Sequence, residues 1–422
     1  MSPRVQILFF DMNSFYASVA QAEEPELLNR PVGVLTADAP NAACIAASID
    51  AKRAGVRMGT RQDEARRLCP GIVFRAVKHD VCVRYHHAIL RAVDTVLPVD
   101  RVWSIDECSC RLTGSQQDLP QAIRLGRALQ AAVLDQVNVA LRCSVGLGPT
   151  RLLAKVAAGL EKPGGLHWLL PEILPDRIAH LALDDLPGIS GRMKTRLEAA
   201  GIRSVAELHA LDPRRARQIW GSVTGERFLR ELRGETVVWP ETERGMIGHG
   251  QVLTAANKTP EGARLVARRL LVKAAARLRR EGFLARHLHL AVSQAEPGDR
   301  SLRDWWRHQT TREGQITASQ DTFFLLSVLD RYWADLKLRD PVAVHVTLGG
   351  LIPVGQAMDD LFAAATPADD PARTGLCRAI DALNQRFGQD TVRFGQLPPH
   401  RVAYTGAKIA FGRIPVAEDF RE

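Results

Sequence analysis

The sequence lacks the features of membrane and secreted proteins. It contains no apolar segment long enough to cross a lipid bilayer, and no N-terminal leader in which basic residues precede an apolar run. Its seven cysteines include no CxxC pair, so the sequence suggests neither a disulfide framework nor a zinc site. We therefore expect a cytoplasmic protein that does not bind a membrane.

The chain is long and carries a net positive charge. Its 422 residues are too many for one hydrophobic core, so about two to four domains are expected. Hydrophobic residues make up 46% and charged residues 24%, as in ordinary globular proteins. The 56 Lys and Arg residues outnumber the 47 Asp and Glu residues, and this net charge of +9 favours a polyanionic partner.

Three carboxylates stand at the ends of segments that are typical of strands. Asp11 follows the apolar residues 5–10, and Asp106 and Glu107 follow the run 101–103. Neighbouring side chains on a strand point to opposite faces, so Asp106 and Glu107 can share a site only if the chain turns between them. If the strands are neighbours, the three acids converge, and such hard oxygen ligands suit Mg²⁺ held together with a substrate's phosphates. Taken singly, each acid is equally well explained as a turn or cap residue.

Five short segments, read in order, carry a resemblance to a known family. They are DMNSFYASV at 11–19, SIDE at 104–107, SVGLG at 144–148, LAK at 153–155 and KPGG at 162–165. Together they resemble the Y-family translesion DNA polymerases. The resemblance is strongest in the first half of the chain and weaker after Arg244.

The resemblance implies an α+β fold, a multidomain right-hand polymerase with palm, small fingers, helix-hairpin-helix thumb and a β-α-β-β-α-β little finger. The implied boundaries are palm 1–15 and 72–168, fingers 16–71, thumb 169–234, linker 235–246, little finger 247–351 and C-terminal tail 352–422. The tail is Pro-, Ala- and Asp-rich at 366–371 and then has one helical segment around 375–387. We expect much of the tail to be disordered in isolation.

The resemblance also implies the catalytic acids and their cofactor. Asp11, Asp106 and Glu107 would be catalytic, and with the backbone carbonyl of Met12 they would hold two Mg²⁺ ions. Asn13 stands where polymerases IV usually have a second Asp, a choice closer to the catalytic subunit of bacterial polymerase V.

Three further residues are implied to contact the incoming dNTP. Lys52 and Lys162 would offset the charge of its triphosphate. Tyr16 would be the steric gate that excludes a 2′-hydroxyl. The alternatives are a lysine on an ordinary solvated helix face and an aromatic side chain that packs beside Phe15.

Contacts with primer-template DNA are implied in two places. Gly188 and Gly191 lie in a sequence that resembles a helix-hairpin-helix, whose backbone N–H groups would bind a DNA phosphate, although an ordinary helical hairpin explains it equally well. A predicted helix from Pro260 to Glu281 has an excess of basic residues that favours phosphate binding. These residues are Arg264, Arg268, Arg269, Lys273, Arg277, Arg279 and Arg280.

A late peptide resembles the motif by which bacterial polymerases dock on the sliding clamp. Gln356, Leu361 and Phe362 would be its anchors, although a simple helix start explains the segment equally well. Mutagenesis accessory proteins are further possible partners.

The resemblance implies a low-fidelity, template-directed DNA polymerase of damage tolerance, mutagenesis and the SOS response. One alternative is a catalytically silent scaffold that binds DNA and the clamp in a mutagenesis complex. A nucleotide cyclase on a similar palm is disfavoured by the hairpin and the basic helix that follow the palm.

Overall fold

The computed structural model describes residues 4–36, 42–240, 244–296, 308–356, 371–388, 390–396 and 414. These residues form two compact units, one reaching to Trp239 and including Ile414, the other starting at Pro240. The division falls inside the predicted linker 235–246. Among the described helices, none combines the length and apolar character needed to cross a membrane.

The first unit contains eight strands and ten α-helices among its described residues. The strands are β1 (Ile7–Met12), β2 (Val32–Leu35), β3 (Cys44–Ala47), β4 (Val73–Ala76), β5 (Arg101–Ser104), β6 (Glu107–Arg111), β7 (Cys143–Gly148) and β8 (Leu166–Trp168). The helices are α1 (Phe15–Glu23), α2 (Ile49–Arg53), α3 (Gln62–Leu68), α4 (His79–Asp94), α5 (Leu119–Gln136), α6 (Arg151–Gly159), α7 (Gly191–Ala199), α8 (Val205–Ala210), α9 (Pro213–Trp220) and α10 (Val223–Leu232).

The larger sheet of this unit has the strand order β5-β6-β1-β7-β8. Its central strand β1 is apolar on both faces, so both faces must be covered. Leu8 and Phe10 pack with α4 and α5 in the largest core of the unit. Ile7 and Phe9 face the other way, toward Ala154 of α6.

Helix α6 lies very close to the sheet because β7 carries glycine beneath it. A Cβ atom added at Gly146 would collide with the backbone of Ala154. The hydroxyl of Thr150 caps α6 by accepting a hydrogen bond from the N–H of Leu153 at 3.2 Å. This close packing fixes the position of α6 beside β1, the strand that ends in Asp11.

A second, three-stranded sheet has the order β3-β2-β4 and carries the basic helices α2 and α3. Its strand β4 pairs in parallel with β2, Val32 opposite Val73. The predicted palm began at residue 72 and therefore included β4. The structure corrects this boundary, because the hydrogen-bonding partner of β4 is a strand of the small sheet.

The helices α7 to α10 form a separate hydrophobic core. It includes Leu197, Leu208, Phe228 and Leu229, and Leu153 of α6 joins it from the larger sheet. The four helices lie within residues 169–234, for which a thumb stays a prediction.

The second unit alternates strands and helices. Its described elements are β9 (Met246–Val252), α11 (Pro260–Arg280), β10 (Phe283–Gln294), β11 (Gln309–Ser319), α12 (Thr322–Ala334), β12 (Pro341–Gly349), β13 (Ile352–Pro353) and α13 (Pro371–Phe387). The sheet order is β11-β10-β12-β9, and β13 pairs with β10. From β9 to β12 the elements follow the β-α-β-β-α-β order predicted for the little finger. The sequence also predicts a strand that contains Trp305 and Trp306, and both residues fall outside the described residues.

Helix α13 lies where the sequence predicts a helical segment, residues 375–387, and it is folded rather than disordered. It docks on the second unit, where Cys377 is fully buried and Ile380 is 7% exposed. Arg279 of α11, with a side chain only 3% exposed, binds Asp381 of α13 through two hydrogen bonds of 2.7 and 2.9 Å. Residues 371–387 are therefore part of a folded domain, because buried apolar and charged groups hold them there.

Candidate active site

A tight turn separates the two adjacent acids of the SIDE motif. Strands β5 and β6 pair antiparallel with Ser104 opposite Glu107, and the two residues between them form the turn. Asp106 lies in this turn, and its Oδ1 accepts a hydrogen bond from the hydroxyl of Ser104 at 2.5 Å. The chain therefore makes the turn that a shared site requires.

The register of β1 against β6 brings the third acid to the same place. Asp11 pairs with Glu107, and the N–H of Met12 donates to the carbonyl of Asp106 at 2.9 Å. Asp11, Asp106 and Glu107 thus lie together at one end of the larger sheet, as the sequence predicted.

Two lysines from the region of α6 reach the acids. Nζ of Lys155 lies 2.7 Å from Oε2 of Glu107, and Nζ of Lys162 lies 2.5 Å from Oδ1 of Asp11. These ion pairs are partly shielded, since the carboxylates of Glu107 and Asp11 are only 17% and 13% exposed. The lysines therefore neutralise part of the negative charge that the turn and the register concentrate.

The pKa values of Asp11 and Asp106 are both raised. Burial raises the pKa of Asp11, opposed by Lys162, and the charges of Glu107 and Asp106 raise it further. Burial also raises the pKa of Asp106, and Glu107 adds to the shift while the Ser104 hydrogen bond opposes it. Each carboxylate would be stabilised by additional positive charge in the site.

The donor set fits a hard cation. Carboxylates and a backbone carbonyl are ligands typical of Mg²⁺, and the raised pKa values of Asp11 and Asp106 are what a divalent cation would relieve. Across the part of the chain that the structure describes, no three His, Cys, Asp or Glu side chains are already grouped as a metal cage. This agrees with the ion pairs of Asp11 and Glu107 to lysine.

The residues predicted to bind the nucleotide lie around these acids. The pKa of Lys52 is lowered by partial burial and then by the charge of Lys162, while Asp11 and Asp106 oppose the shift. Burial raises the pKa of Tyr16, and the charges of Cys82 and Asp106 raise it further. The half-buried ring of Tyr16 also packs edge-on against Phe15, with ring centroids 5.6 Å apart. Lys52, Lys162 and Tyr16 therefore share one electrostatic environment with the acids.

Asn13 holds the Lys162 loop against the sheet. Its side-chain Nδ2 donates to the hydroxyl of Ser144 at 3.1 Å, and its Oδ1 accepts from the N–H of Gly164 at 2.9 Å. Asn13 is 2% exposed, so these bonds are buried. A neutral amide can both donate and accept, which a carboxylate in its place could not do.

His86 supports the turn from the opposite side. This buried residue of α4 has its Nδ1 atom 2.7 Å from the carbonyl oxygen of Ile105, the turn residue before Asp106. A carbonyl only accepts, so Nδ1 carries the hydrogen. Burial lowers the pKa of His86 to about 4, which keeps the ring neutral at pH 7.

Loss of this support should weaken Mg²⁺ binding at the acids. We expect His86→Leu to raise the Mg²⁺ concentration needed for half-saturation by about tenfold, because partners behind metal ligands typically contribute 10- to 100-fold. His86→Asn keeps an N–H near the Nδ1 position and should restore most of the affinity. A Mg²⁺ titration of all three proteins checks this, and equal loss in both variants would show that only packing matters.

The predicted DNA-binding glycines form the expected tight turn. Gly188 has φ +96°, a conformation that favours glycine, and Gly191 begins α7 after the Ser190 cap. This places the first N–H groups of α7 next to the turn.

The predicted basic helix is less available to DNA than its composition indicates. Arg264 lies 3.1 Å from Asp330 of α12, and Arg268 also pairs with Asp330. Arg269 and Lys273 follow on α11 as half-buried residues. Part of the positive charge of α11 is therefore used in ion pairs with α12.

Most of the predicted clamp peptide lies outside the described residues. Gln356 ends a short 3₁₀ turn, Val354–Gln356, after β13. Leu361 and Phe362 lie outside the described residues.

Sequence reasoning missed the supporting residues Ser104, His86 and Lys155. Ser104 and Lys155 belong to motifs that carry the family resemblance, and this was the only signal for them. His86 offered none, because its contact with Ile105 spans 19 residues of sequence.

Comparison with known proteins identifies the family of this chain. The family model of the impB/mucB/samB family matches residues 10–159, and that of its C-terminal domain matches residues 244–361. DNA polymerase IV of Moorella thermoacetica is 31% identical over 420 residues, 98% of this chain and 99% of that protein. DNA polymerase IV of Pelotomaculum thermopropionicum is 30% identical over 399 residues, 92% and 94% of the two chains.

A solved structure supports the fold. A Y-family DNA polymerase chimera, Dbh-Dpo4(243-245)-Dbh, superposes with a TM-score of 0.66 at 18% identity, covering 82% of this chain and 99% of the chimera.

The fold is therefore that of a multidomain right-hand DNA polymerase, with its acids at the strand ends of the larger sheet. The chain belongs to the Y family of translesion DNA polymerases. This confirms the resemblance and the fold class predicted from the sequence, while the assignment between polymerase IV and V patterns stays a prediction.

Proposed function

We propose that this chain adds dNTPs to a primer 3′-hydroxyl by template-directed, two-metal nucleotidyl transfer, and that it copies damaged template with low fidelity in DNA damage tolerance and mutagenesis. The observation that carries the proposal is the convergence of Asp11, Asp106 and Glu107 at one sheet edge. Grouping largely buried acids costs folding free energy, as the raised pKa values of Asp11 and Asp106 indicate. Such a cost is typical of a functional site.

The acids would act together in this proposal. Asp11, Asp106 and Glu107, with the carbonyl of Met12, would hold two Mg²⁺ ions. When bound, the two ions supply charge that activates the 3′-hydroxyl and neutralises the pyrophosphate leaving group. The Ser104 hydrogen bond to Asp106 and the His86 contact behind the turn would keep the Asp106 carboxylate in place.

The lysines have two tasks in this proposal. Lys162 and Lys52 would bind the triphosphate, since both lie in the electrostatic field of the acids. Lys155 would hold Glu107, with which it makes a 2.7 Å ion pair. The loop that carries Lys162 is positioned by Asn13 through the N–H of Gly164.

Primer extension tests the function. The purified chain is incubated with a primed template, Mg²⁺ and either all four dNTPs or one at a time. We expect elongated products only with the dNTP complementary to the template base, and none after chelation of Mg²⁺. Tight primer-template binding without extension, with sliding clamp absent or added, would instead support the scaffold alternative.

Tyr16 should control the choice of sugar. We expect Tyr16→Ala to raise the incorporation of ribonucleotides relative to dNTPs by about tenfold or more, because the ring no longer blocks a 2′-hydroxyl. Tyr16→Phe keeps the ring and should retain the selectivity. The measurement is kcat/KM for a matched rNTP and dNTP, and unchanged selectivity in Tyr16→Ala would leave Tyr16 as a packing residue beside Phe15.

The partners follow from the same proposal. Primer-template DNA would contact the Gly188–Gly191 turn of the thumb, with weaker support for Arg264, Arg268, Arg269 and Lys273. Sliding-clamp docking through Gln356, Leu361 and Phe362, and accessory mutagenesis proteins, remain predictions from sequence.

A further inference from the structure

The sheet face that carries the catalytic acids continues onto the β5–β6 hairpin. Along β6, Cys108 and Cys110 point into the core, so Glu107, Ser109 and Arg111 point to the opposite face. That is the face on which α6 packs, and Arg111 is exposed there. The hairpin thus extends the site along one surface.

An aromatic and basic cluster lies on this part of the hairpin. The guanidinium carbons of Arg101 and Arg151 lie 4.3 and 4.5 Å from the ring centroid of Trp103. The indole N–H of Trp103 donates to the hydroxyl of Ser109 at 2.9 Å, which fixes the ring. We call these three residues, Arg101, Trp103 and Arg151, the Trp103 cluster.

The cluster lies one side-chain row away from the acids. Glu107 pairs with Asp11, and Ser109, two residues further, pairs with Phe9 and with Arg101. Two residues span about 6.6 Å along a strand. On α6, Arg151 precedes Lys155 by four residues, about 6 Å along the same helix face. Lys155 reaches Glu107 while Arg151 reaches Trp103, so two cations follow the edge of the site.

The chemistry of the cluster suits phosphate. A guanidinium that stacks on an aromatic ring uses its flat face and leaves its N–H edge for oxygen acceptors. Arg101 is exposed. Arg151 also lies in the field of the buried Glu231 carboxyl, whose pKa is raised by burial and lowered by Trp239 and Arg151.

We propose that the Trp103 cluster binds phosphates of the primer strand next to its 3′ end. The inference rests on the proposed function, because the 3′-hydroxyl must meet the acids one row away. Arg101 and Arg151 would donate to successive phosphate oxygens, and Trp103 would hold both guanidinium groups in place.

Salt-dependent binding tests the inference. In R101Q/R151Q, the slope of log affinity for primer-template against log salt concentration should become shallower by about two, since each lost phosphate contact removes about 0.9. R101K/R151K keeps both charges and should restore the slope. The matched control is R124Q/R127Q, because both arginines are exposed on α5, on the other side of the sheet. Its slope should equal that of the unchanged protein.

Neutral phosphate analogues identify the strand. A methylphosphonate at one of the last primer linkages should weaken binding of the unchanged protein and have little effect on R101Q/R151Q. The same substitution in the template strand should affect both proteins equally. Coupling to the template strand, or an unchanged salt slope in R101Q/R151Q, would overturn the inference.

The two proposals fail in different ways. Failure of the proposed function appears as absent extension by the unchanged protein. Failure of this inference appears as normal extension together with a salt slope in R101Q/R151Q like that of the R124Q/R127Q control.

Discussion

Replacing Asp106 with alanine should reduce Mg²⁺-dependent primer extension by more than about 10²-fold, because removal of a residue behind a metal ligand already costs 10- to 100-fold. Primer-template binding should stay within a few-fold, since this carboxylate lies in a two-residue turn and would repel DNA phosphates. The measurements are single-turnover extension and equilibrium binding to a labelled primer-template. Equal loss of both would mean that Asp106 is a structural acid.

Asp100 offers a matched control for this prediction. It lies just before β5, where it pairs with Arg111 at 3.6 Å, and its carboxylate is 39% exposed. Asp100→Ala removes the same group from the same hairpin, away from the acids, and should leave extension within about twofold because exposed ion pairs contribute little.

Asp106→Asn separates catalysis from stability. The pKa of Asp106 is raised in the folded protein, so ionisation of this group opposes folding at neutral pH. The asparagine variant should therefore be inactive yet melt at a higher temperature at pH 7 in the absence of Mg²⁺. The gain in melting temperature should disappear as the pH falls below the pKa of aspartate in the unfolded chain. Asp106 is then protonated in both the folded and the unfolded state. A lower melting temperature of Asp106→Asn at pH 7 would contradict the inference that ionised Asp106 opposes folding.

The position of the acids could be predicted from sequence because local patterns specify it. An apolar run that ends in Asp11 and a polar Ser104–Glu107 segment after a strand indicate where side chains leave the sheet. The register that joins Asp11 to Glu107 is a long-range property. The family resemblance implied only that the acids share a site, and residue spacing alone does not fix which strands pair or in which register.

The partners of these acids could not be predicted in the same way. Lys162 meets Asp11 across 151 residues of sequence, and Lys155 meets Glu107 across 48. His86 reaches the turn only because α4 packs under the sheet. Similarly, the predicted palm boundary at residue 72 placed β4 in the palm, whereas β4 pairs with β2 of the small sheet.

The charge composition of α11 does not show how its arginines are paired. The helix has a basic excess, which predicted phosphate binding, yet Arg264, Arg268 and Arg279 form ion pairs with Asp330 and Asp381. These acids come from α12 and α13, far away in sequence. A charge that pairs inside a domain cannot be distinguished by composition from one that faces a ligand.

The buried arginine of α11 leads to the second large expected effect. Nη1 of Arg279 donates to the carbonyl of Gln320 at 2.6 Å and to the hydroxyl of Thr322 at 2.8 Å, in addition to the bidentate pair with Asp381. Removing one partner of such a pair typically costs about 3 to 5 kcal/mol, because the other charge stays desolvated. Arg279→Met should therefore release α13 from the second unit.

Cys377 reports this release directly. It is fully buried on α13, with its sulfur 3.6 Å from Oδ1 of Asp321, so alkylation requires α13 to detach. We expect Arg279→Met to raise the alkylation rate of Cys377, followed by peptide mass spectrometry, by about 10²-fold or more, in line with a cost of at least about 3 kcal/mol. Arg378→Met, an exposed arginine beside Cys377, is the control and should leave the rate within about twofold.

The double variant R279M/D381L distinguishes charge from shape. If the loss in Arg279→Met comes from the stranded carboxylate of Asp381, replacing that carboxylate with an apolar side chain should recover most of the protection of Cys377. If protection stays lost, the hydrogen bonds of Arg279 to Gln320 and Thr322, which join α11 to the start of α12, are also needed for α13 to dock. In either case α13 is a structural helix of the second unit, and a chain truncated before residue 371 should expose the same arginine and lose stability accordingly.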